Sequence, residues 1–198
     1  MPDRYPSVKE FLAAFKPVAE EIEAKFGIPW LVMATQAAHE SRNGNSGLAA
    51  HNNLFGVTGD KDLKLAGVPD TMAMVDVKAW LLARPTTPVC IMKTGEASDL
   101  PPEKIHYWTR PGDVISKTPN GTGSDLLVER PFRTYADWKE AAYAWAERIA
   151  RNYPKAFACA HDGNPAGFFE GLQAGGYATD KQYASQLKAR YDELSALA

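Results

Sequence analysis

The sequence predicts a mainly α domain of the α+β class, a helical body carrying a small β-hairpin sub-lobe. Three observations predict it. Apolar residues recur at helical spacing, behind caps or prolines, in the first 41 residues and again after Asp137. Two β-like runs, Val114-Ile115 and Leu126-Leu127-Val128, bracket an Asn120-Gly121 turn signal. Between Thr58 and Lys117 the chain is rich in Pro and Gly and shows no sustained period. A length of 198 residues suits one domain with a sub-lobe. We therefore expect a single domain over 1–198, with an insertion-rich β sub-lobe at about 58–130.

The elements follow in order. Ser7-Val8-Lys9-Glu10 reads as a capping box. Val8, Phe11, Leu12, Phe15, Ile22 and Phe26 then recur at helical spacing. Pro17 is expected to kink or split this helix, and Gly27 to stop it. Pro29 starts a second helix that runs to about Ser41. Its apolar face, Trp30, Met33, Ala34 and Ala37 with Leu31, Thr35 and Ala38 beside it, is broad enough for a buried central helix. Asn43 to Asn53 is a polar loop, and Leu54 to Val57 a short strand or extended segment. Val75–Arg84 reads as a short helix, Pro88–Met92 as a strand, and about Asp113–Arg130 as a hairpin. Thr134 and Asp137 form a cap pair for a helix with the stripe Trp138, Ala141, Ala142, Trp145 and Ile149. Pro154 opens a short helix to about Ala160. Asn164-Pro165 opens another, which holds Phe168, Phe169 and Leu172 and ends at Gly175-Gly176. A capping box from Thr179 to Gln182 leads the last helix, with Tyr183, Leu187, Tyr191 and Leu194 at helical spacing.

Composition narrows the chemistry. Lys plus Arg is 22 and Asp plus Glu 24, with no basic block, which argues against a nucleic-acid partner. No stretch is long and apolar enough for a membrane span. Cys90 and Cys159 are far apart in sequence, and one disulfide is compatible but not required. His39, His51, His106 and His161 are scattered and read as ordinary surface or core residues, so no metal is expected. The 11% of aromatic residues suits sugar stacking and a plain core alike, and core is the default.

Glu40 sits where the small-residue helix gives way to the polar loop. Two readings fit it: a solvated helix end, or a carboxyl on the floor of a cleft, with its pKa raised by apolar neighbours as a general acid needs. The residues alone favour the first. Gln36, one turn earlier on the same face, can bond Glu40, bind substrate or serve as a buried structural amide.

The wording of the chain adds to this. His39-Glu40-Ser41, Ser46-Gly47-Leu48-Ala49 and Asn53-Leu54-Phe55-Gly56-Val57 resemble the bacterial N-acetylglucosaminidases of glycoside hydrolase family 73, a group of flagellar hydrolases, autolysins and phage lysins. Pro131-Phe132-Arg133-Thr134-Tyr135 before a helix is a second match. Gly176-Tyr177-Ala178-Thr179-Asp180, followed by Tyr183, is a third. The resemblance covers about residues 28–57 and 131–191. It implies a lysozyme-like helical domain with a small β-lobe overhanging the cleft, and marks much of 58–117 as an insertion. It implies hydrolysis of the β-1,4 bond after N-acetylglucosamine in peptidoglycan, with no cofactor. Glu40 would be the general acid and Tyr177 a second catalytic group, orienting the N-acetyl group or stabilising charge at the anomeric carbon. Gln36, Asn53, Phe55 and Thr179 would bind substrate.

The second carboxylate is less defined. Family members often carry a Glu in the hairpin strand before the Asn-Gly turn, but Ile115-Ser116-Lys117-Thr118-Pro119-Asn120-Gly121 holds no acid. Asp113, Asp125 and Glu129 are the nearest candidates, and surface charge is the other reading for each. A bulge between Asp125 and Glu129 would place them on opposite strand faces. With no carboxylate across from Glu40, the substrate acetamide would act as internal nucleophile.

Rival readings are a lytic transglycosylase or muramidase on the same fold and, from another class, a non-catalytic wall-binding module. Transglycosylases usually continue with a Gly-Leu-Met-Gln type run, which is absent. Peptidoglycan strands are the expected partner. A toxin-type effector would add an immunity protein or a secretion component. The start Met1-Pro2-Asp3-Arg4-Tyr5-Pro6 lacks a signal-peptide pattern. Synthesis in the cytoplasm and action in the periplasm or on the cell wall are therefore expected, after phage lysis, contact-dependent secretion or flagellar-type export, with a cleaved signal as a fourth route.

Overall fold

A computed structural model describes residues 5–105 and 110–198. The readings made for residues 1–4 and for His106 lie outside them. The chain forms two compact units, Met1–Gly56 with Tyr135–Ala198, and Val57–Thr134. The first begins with α1 (Val8–Phe26) and α2 (Trp30–Ser41). The second adds α3 (Asp60–Leu65), α4 (Met74–Leu82), β1 (Val89–Ser98), β2 (Val114–Asn120) and β3 (Gly123–Arg133). The chain returns to the first unit for α5 (Trp138–Asn152), α6 (Pro154–His161), α7 (Pro165–Ala174) and α8 (Tyr183–Ser195).

In the first unit Ser7 caps α1, its Oγ accepting the Glu10 amide at 3.2 Å and donating to the Glu10 carboxylate at 2.8 Å. Pro17 does not split the helix. Phe11, Leu12, Phe15, Ala19 and Ile22 stay on one buried face across it. Pro17 and Ala13 are both exposed, so water can satisfy the Ala13 carbonyl that Pro17 leaves without an amide. Gly27 ends the helix with φ +68°. A Cβ there would meet the His161 ring at 2.3 Å, so the close approach also demands glycine.

Helix α2 packs against α1 and α8. Every residue from Val32 to Ala38 is buried, which explains its run of alanines. After it, Leu54-Phe55 form a turn, not the expected strand. Both adjacent side chains are buried, whereas a strand would send them to opposite faces. An aromatic core surrounds this turn. Phe55 stacks on Trp145 at 5.0 Å and meets Phe15 edge-on at 6.4 Å, and Trp138 packs on Phe11 and Phe15.

Asp137 alone caps α5. Its Oδ1 accepts the Glu140 amide at 2.8 Å, while Glu140 reaches back to the Ala136 amide at 2.7 Å. Thr134 lies three residues before that cap, and its amide donates to the Pro88 carbonyl. Helix α8 starts at Tyr183, later than the box at Thr179–Gln182, and Asp180 Oδ1 accepts the Gln182 amide at 2.8 Å.

In the second unit the strand order is β1-β3-β2, all antiparallel. The β2–β3 hairpin turns at Gly121, φ +62°, after the Asn120 that signalled it. Pro119 is tolerated because β2 is an edge strand. The bulge lies in β2, between Val114 and Ser116. Strand β3 keeps unbroken register with β1, so Asp125 and Glu129 share one face and the expected separation does not occur. Cys90 and Cys159 are both free thiols.

Candidate active site

Glu40 occupies the last turn of α2, and the residue after it explains why the helix ends there. Ser41 is fully buried; its Oγ donates to the Ala37 carbonyl at 2.5 Å and accepts the Gly44 amide at 2.7 Å. That hydroxyl ties down a turn in which Arg42, Asn43 and Gly44 all have positive φ. The Glu-Ser pair thus joins a chemical group to the device that fixes its backbone.

The Glu40 side chain is half-buried, and burial pushes its pKa above the ordinary carboxylate value. One contact opposes the shift: Tyr183 donates its hydroxyl to Glu40 Oε1 at 2.6 Å. Gln36 Nε2 donates to the Tyr183 oxygen at 3.0 Å, and Trp145 Nε1 donates to Gln36 Oε1 at 3.1 Å. Oε2 of Glu40 lies on the Gly56 side, where an added Cβ would stand 3.7 Å away.

Tyr177 completes the cluster. Its ring stacks on Tyr183 at 5.8 Å, and its hydroxyl donates to the Phe55 carbonyl at 3.3 Å. The Arg148 guanidinium lies 5.7 Å from the ring centre. Burial, then the negative charge of Glu40, hold both tyrosines well above the usual phenol range, so both stay neutral. His39 packs edge-on against Tyr183; burial, then Arg190, lower its pKa and keep it neutral at pH 7.

The structure therefore brings together Glu40, Tyr177, Gln36 and Phe55 of the residues singled out from sequence. Gln36 is fully buried with both amide ends in use, which makes it a structural amide and removes it from direct sugar contact. Phe55 is buried against Trp145 and offers its carbonyl to Tyr177. Asn53 is buried and Thr179 exposed. The three candidate second carboxylates belong to the other unit and are engaged there. Asp113 pairs with Arg130 at 2.9 Å, Glu129 pairs with Lys78, and Asp125 accepts from Asn120 at 3.0 Å. Among the described residues, no group of three His, Cys, Asp or Glu side chains is placed to hold a metal ion.

Sequence reasoning gave Tyr183 no part in the site beyond its place in the third match, and read Trp145 only as part of an apolar helical stripe. The available signals were the four-residue spacing of Gln36 and Glu40 and the second tyrosine of Tyr-Ala-Thr-Asp-Lys-Gln-Tyr.

The helices and the small antiparallel sheet define a lysozyme-like fold. The chain belongs to glycoside hydrolase family 73: the glucosaminidase family model, described as mannosyl-glycoprotein endo-β-N-acetylglucosaminidase, matches residues 16–196. No curated protein matches it in sequence. Among solved structures it is similar to a C-terminally truncated FlgJ glycoside hydrolase domain from Salmonella typhimurium, at 23% identity and TM-score 0.59, covering 97% of this chain and 100% of that one. It is similar to the catalytic domain of the autolysin Auto from Listeria monocytogenes, at 21% identity and TM-score 0.61, covering 98% and 88%. A type VI secretion effector–immunity complex from Pseudomonas protegens gives 14% identity and TM-score 0.52, covering 97% and 94%.

Proposed function

We propose that this protein hydrolyses the β-1,4 bond after N-acetylglucosamine in peptidoglycan, with Glu40 as general acid. The carrying observation is the half-buried Glu40 carboxyl, biased toward its protonated form by burial and held by Tyr183. Family membership gives the reaction class, and an autolysin among the structural neighbours favours peptidoglycan as substrate.

Glu40 gives its proton to the glycosidic oxygen as the C1–O bond breaks. The acetamide carbonyl of the same sugar attacks C1 from the opposite face and forms a cyclic oxazolinium. Water then opens the ring at C1 and returns a proton to the Glu40 carboxylate. This route is favoured because Asp113, Asp125 and Glu129 are each committed to a partner in their own unit. Tyr177 stays neutral within the field of Glu40 and is the second catalytic group in this reading.

Purified peptidoglycan digested by wild type and by Glu40→Gln, with mass spectrometry of the reduced fragments, tests the reading. Ends in reduced N-acetylglucosamine, formed about 10²- to 10⁴-fold more slowly by the variant, are expected. Anhydromuramic or reduced muramic ends would make it a transglycosylase or a muramidase. The anomer first released, read by NMR, should show retention; inversion would require a second carboxylate. Delivery as an effector with an immunity partner is the second reading, favoured by the similarity to the Pseudomonas protegens complex. In either case the proposed substrate implies action at the cell wall.

A further inference from the structure

We propose that Trp145, Gln36 and Tyr183 form a one-way hydrogen-bond relay that fixes the acid proton of Glu40 on Oε2. The inference rests on the reading of Glu40 as general acid and adds three positioning residues to it.

The direction follows from donor chemistry. An indole N–H can only donate, so Trp145 requires an acceptor, and Gln36 Oε1 supplies it at 3.1 Å. This sets the amide. Turned over, Gln36 would oppose its NH₂ to the indole N–H, donor against donor, in a place closed to water. With Oε1 committed to Trp145, Nε2 faces the Tyr183 oxygen at 3.0 Å. The phenol oxygen accepts there, and its own proton goes to Glu40 Oε1 at 2.6 Å. Oε1 is then occupied as an acceptor. When Glu40 takes up a proton it carries it on Oε2, on the side where Gly56 has no side chain. The tertiary fold thereby selects one of two chemically identical oxygens as the acid.

The charged and titratable groups around the cluster are His39 on α2, Arg148 on α5, Tyr153 between α5 and α6, Arg190 on α8, and Tyr177 and Asp180 on the segment before α8. Tyr177 borders the path, its oxygen also accepting from the Trp145 indole N–H, while between Trp145 and Glu40 the path itself runs through Gln36 and the titratable Tyr183.

The test reads Glu40 itself, by ¹³C-carboxyl NMR titration with Glu40→Gln identifying the signal. Tyr183→Phe removes the donor to the charged form, so Glu40 should titrate at higher pH. Trp145→Phe frees the amide to turn, and Tyr183 then donates to Gln36 Oε1. It should displace Glu40 in the same direction with Tyr183 still in place, and the double variant should add nothing. The alkaline limb of kcat should move up in both, with activity below the limb falling about 2-fold as the proton divides between two equivalent oxygens. An unmoved Glu40 in Tyr183→Phe, or in a folded Trp145→Phe, overturns the relay. A second readout needs no change at Trp145: its indole N–H resonance should titrate with Glu40 in the wild type and respond less in Tyr183→Phe, where Tyr177 remains as the other acceptor of the indole. An indole signal insensitive to Glu40 also overturns it. NMR reports on Glu40 whether or not it is the acid, so loss of activity in Glu40→Gln tests that separate reading.

Discussion

At the residue scale, Glu40 carries a cost that the fold supports elsewhere. Burial raises its folded pKa above the unfolded value near 4.5. The folded state therefore binds the proton more tightly than the unfolded one. Below the unfolded pKa both states are protonated and no penalty exists. As pH rises through the folded pKa the buried charge appears, and stability falls. Glu40→Gln, which keeps an oxygen for Tyr183, should therefore raise the melting temperature at pH 7. That gain should shrink toward zero below about pH 4. Thermal unfolding of the two proteins across pH 3–8 measures it, and an equal gain at every pH would refute the assignment of cost to the ionised carboxyl.

At the element scale, the turn at Leu54-Phe55-Gly56 performs three tasks. Phe55 anchors it in the aromatic core, the Phe55 carbonyl receives Tyr177, and Gly56 adopts φ +62° beside Glu40 Oε2. Gly56→Ala should cost about 1–2 kcal/mol from the left-handed backbone alone. It also sets a methyl in contact with Oε2, so activity should fall further than the stability loss explains. Denaturant titration beside rate measurement separates the two effects. This run reads as an extended segment in sequence because Leu-Phe-Gly-Val is short and apolar, a pattern that period alone cannot resolve. The caps at Ser7, Asp137 and Asn164 were legible because a side-chain oxygen three residues before an amide is a local signal.

At the scale of the whole molecule, the second unit has its own polar centre. Arg130 holds buried Asp113 at 2.9 Å and Glu96 at 3.0 Å. Asp113→Ala should destabilise the sheet by about 3 kcal/mol, since it strips one partner from a buried guanidinium that retains Glu96. Hydrogen exchange at β1 and β3 amides would register the loss; unchanged protection would show that the pair is structurally idle.

Local sequence determined the longer helices, the caps at Ser7 and Asp137, the hairpin and the placing of Glu40 at a helix end, because periodicity, capping and turn chemistry act within a few residues; the short α3, in a stretch with no sustained period, was not legible. It also carried the motifs of the family. Only tertiary structure decided the rest. Gln36, Trp145 and Tyr183 lie more than 100 residues apart along parts of their path, and their hydrogen-bond direction exists only once α2, α5 and α8 pack together. The raised pKa of Glu40 is likewise a property of burial, and burial has no local signature in the chain.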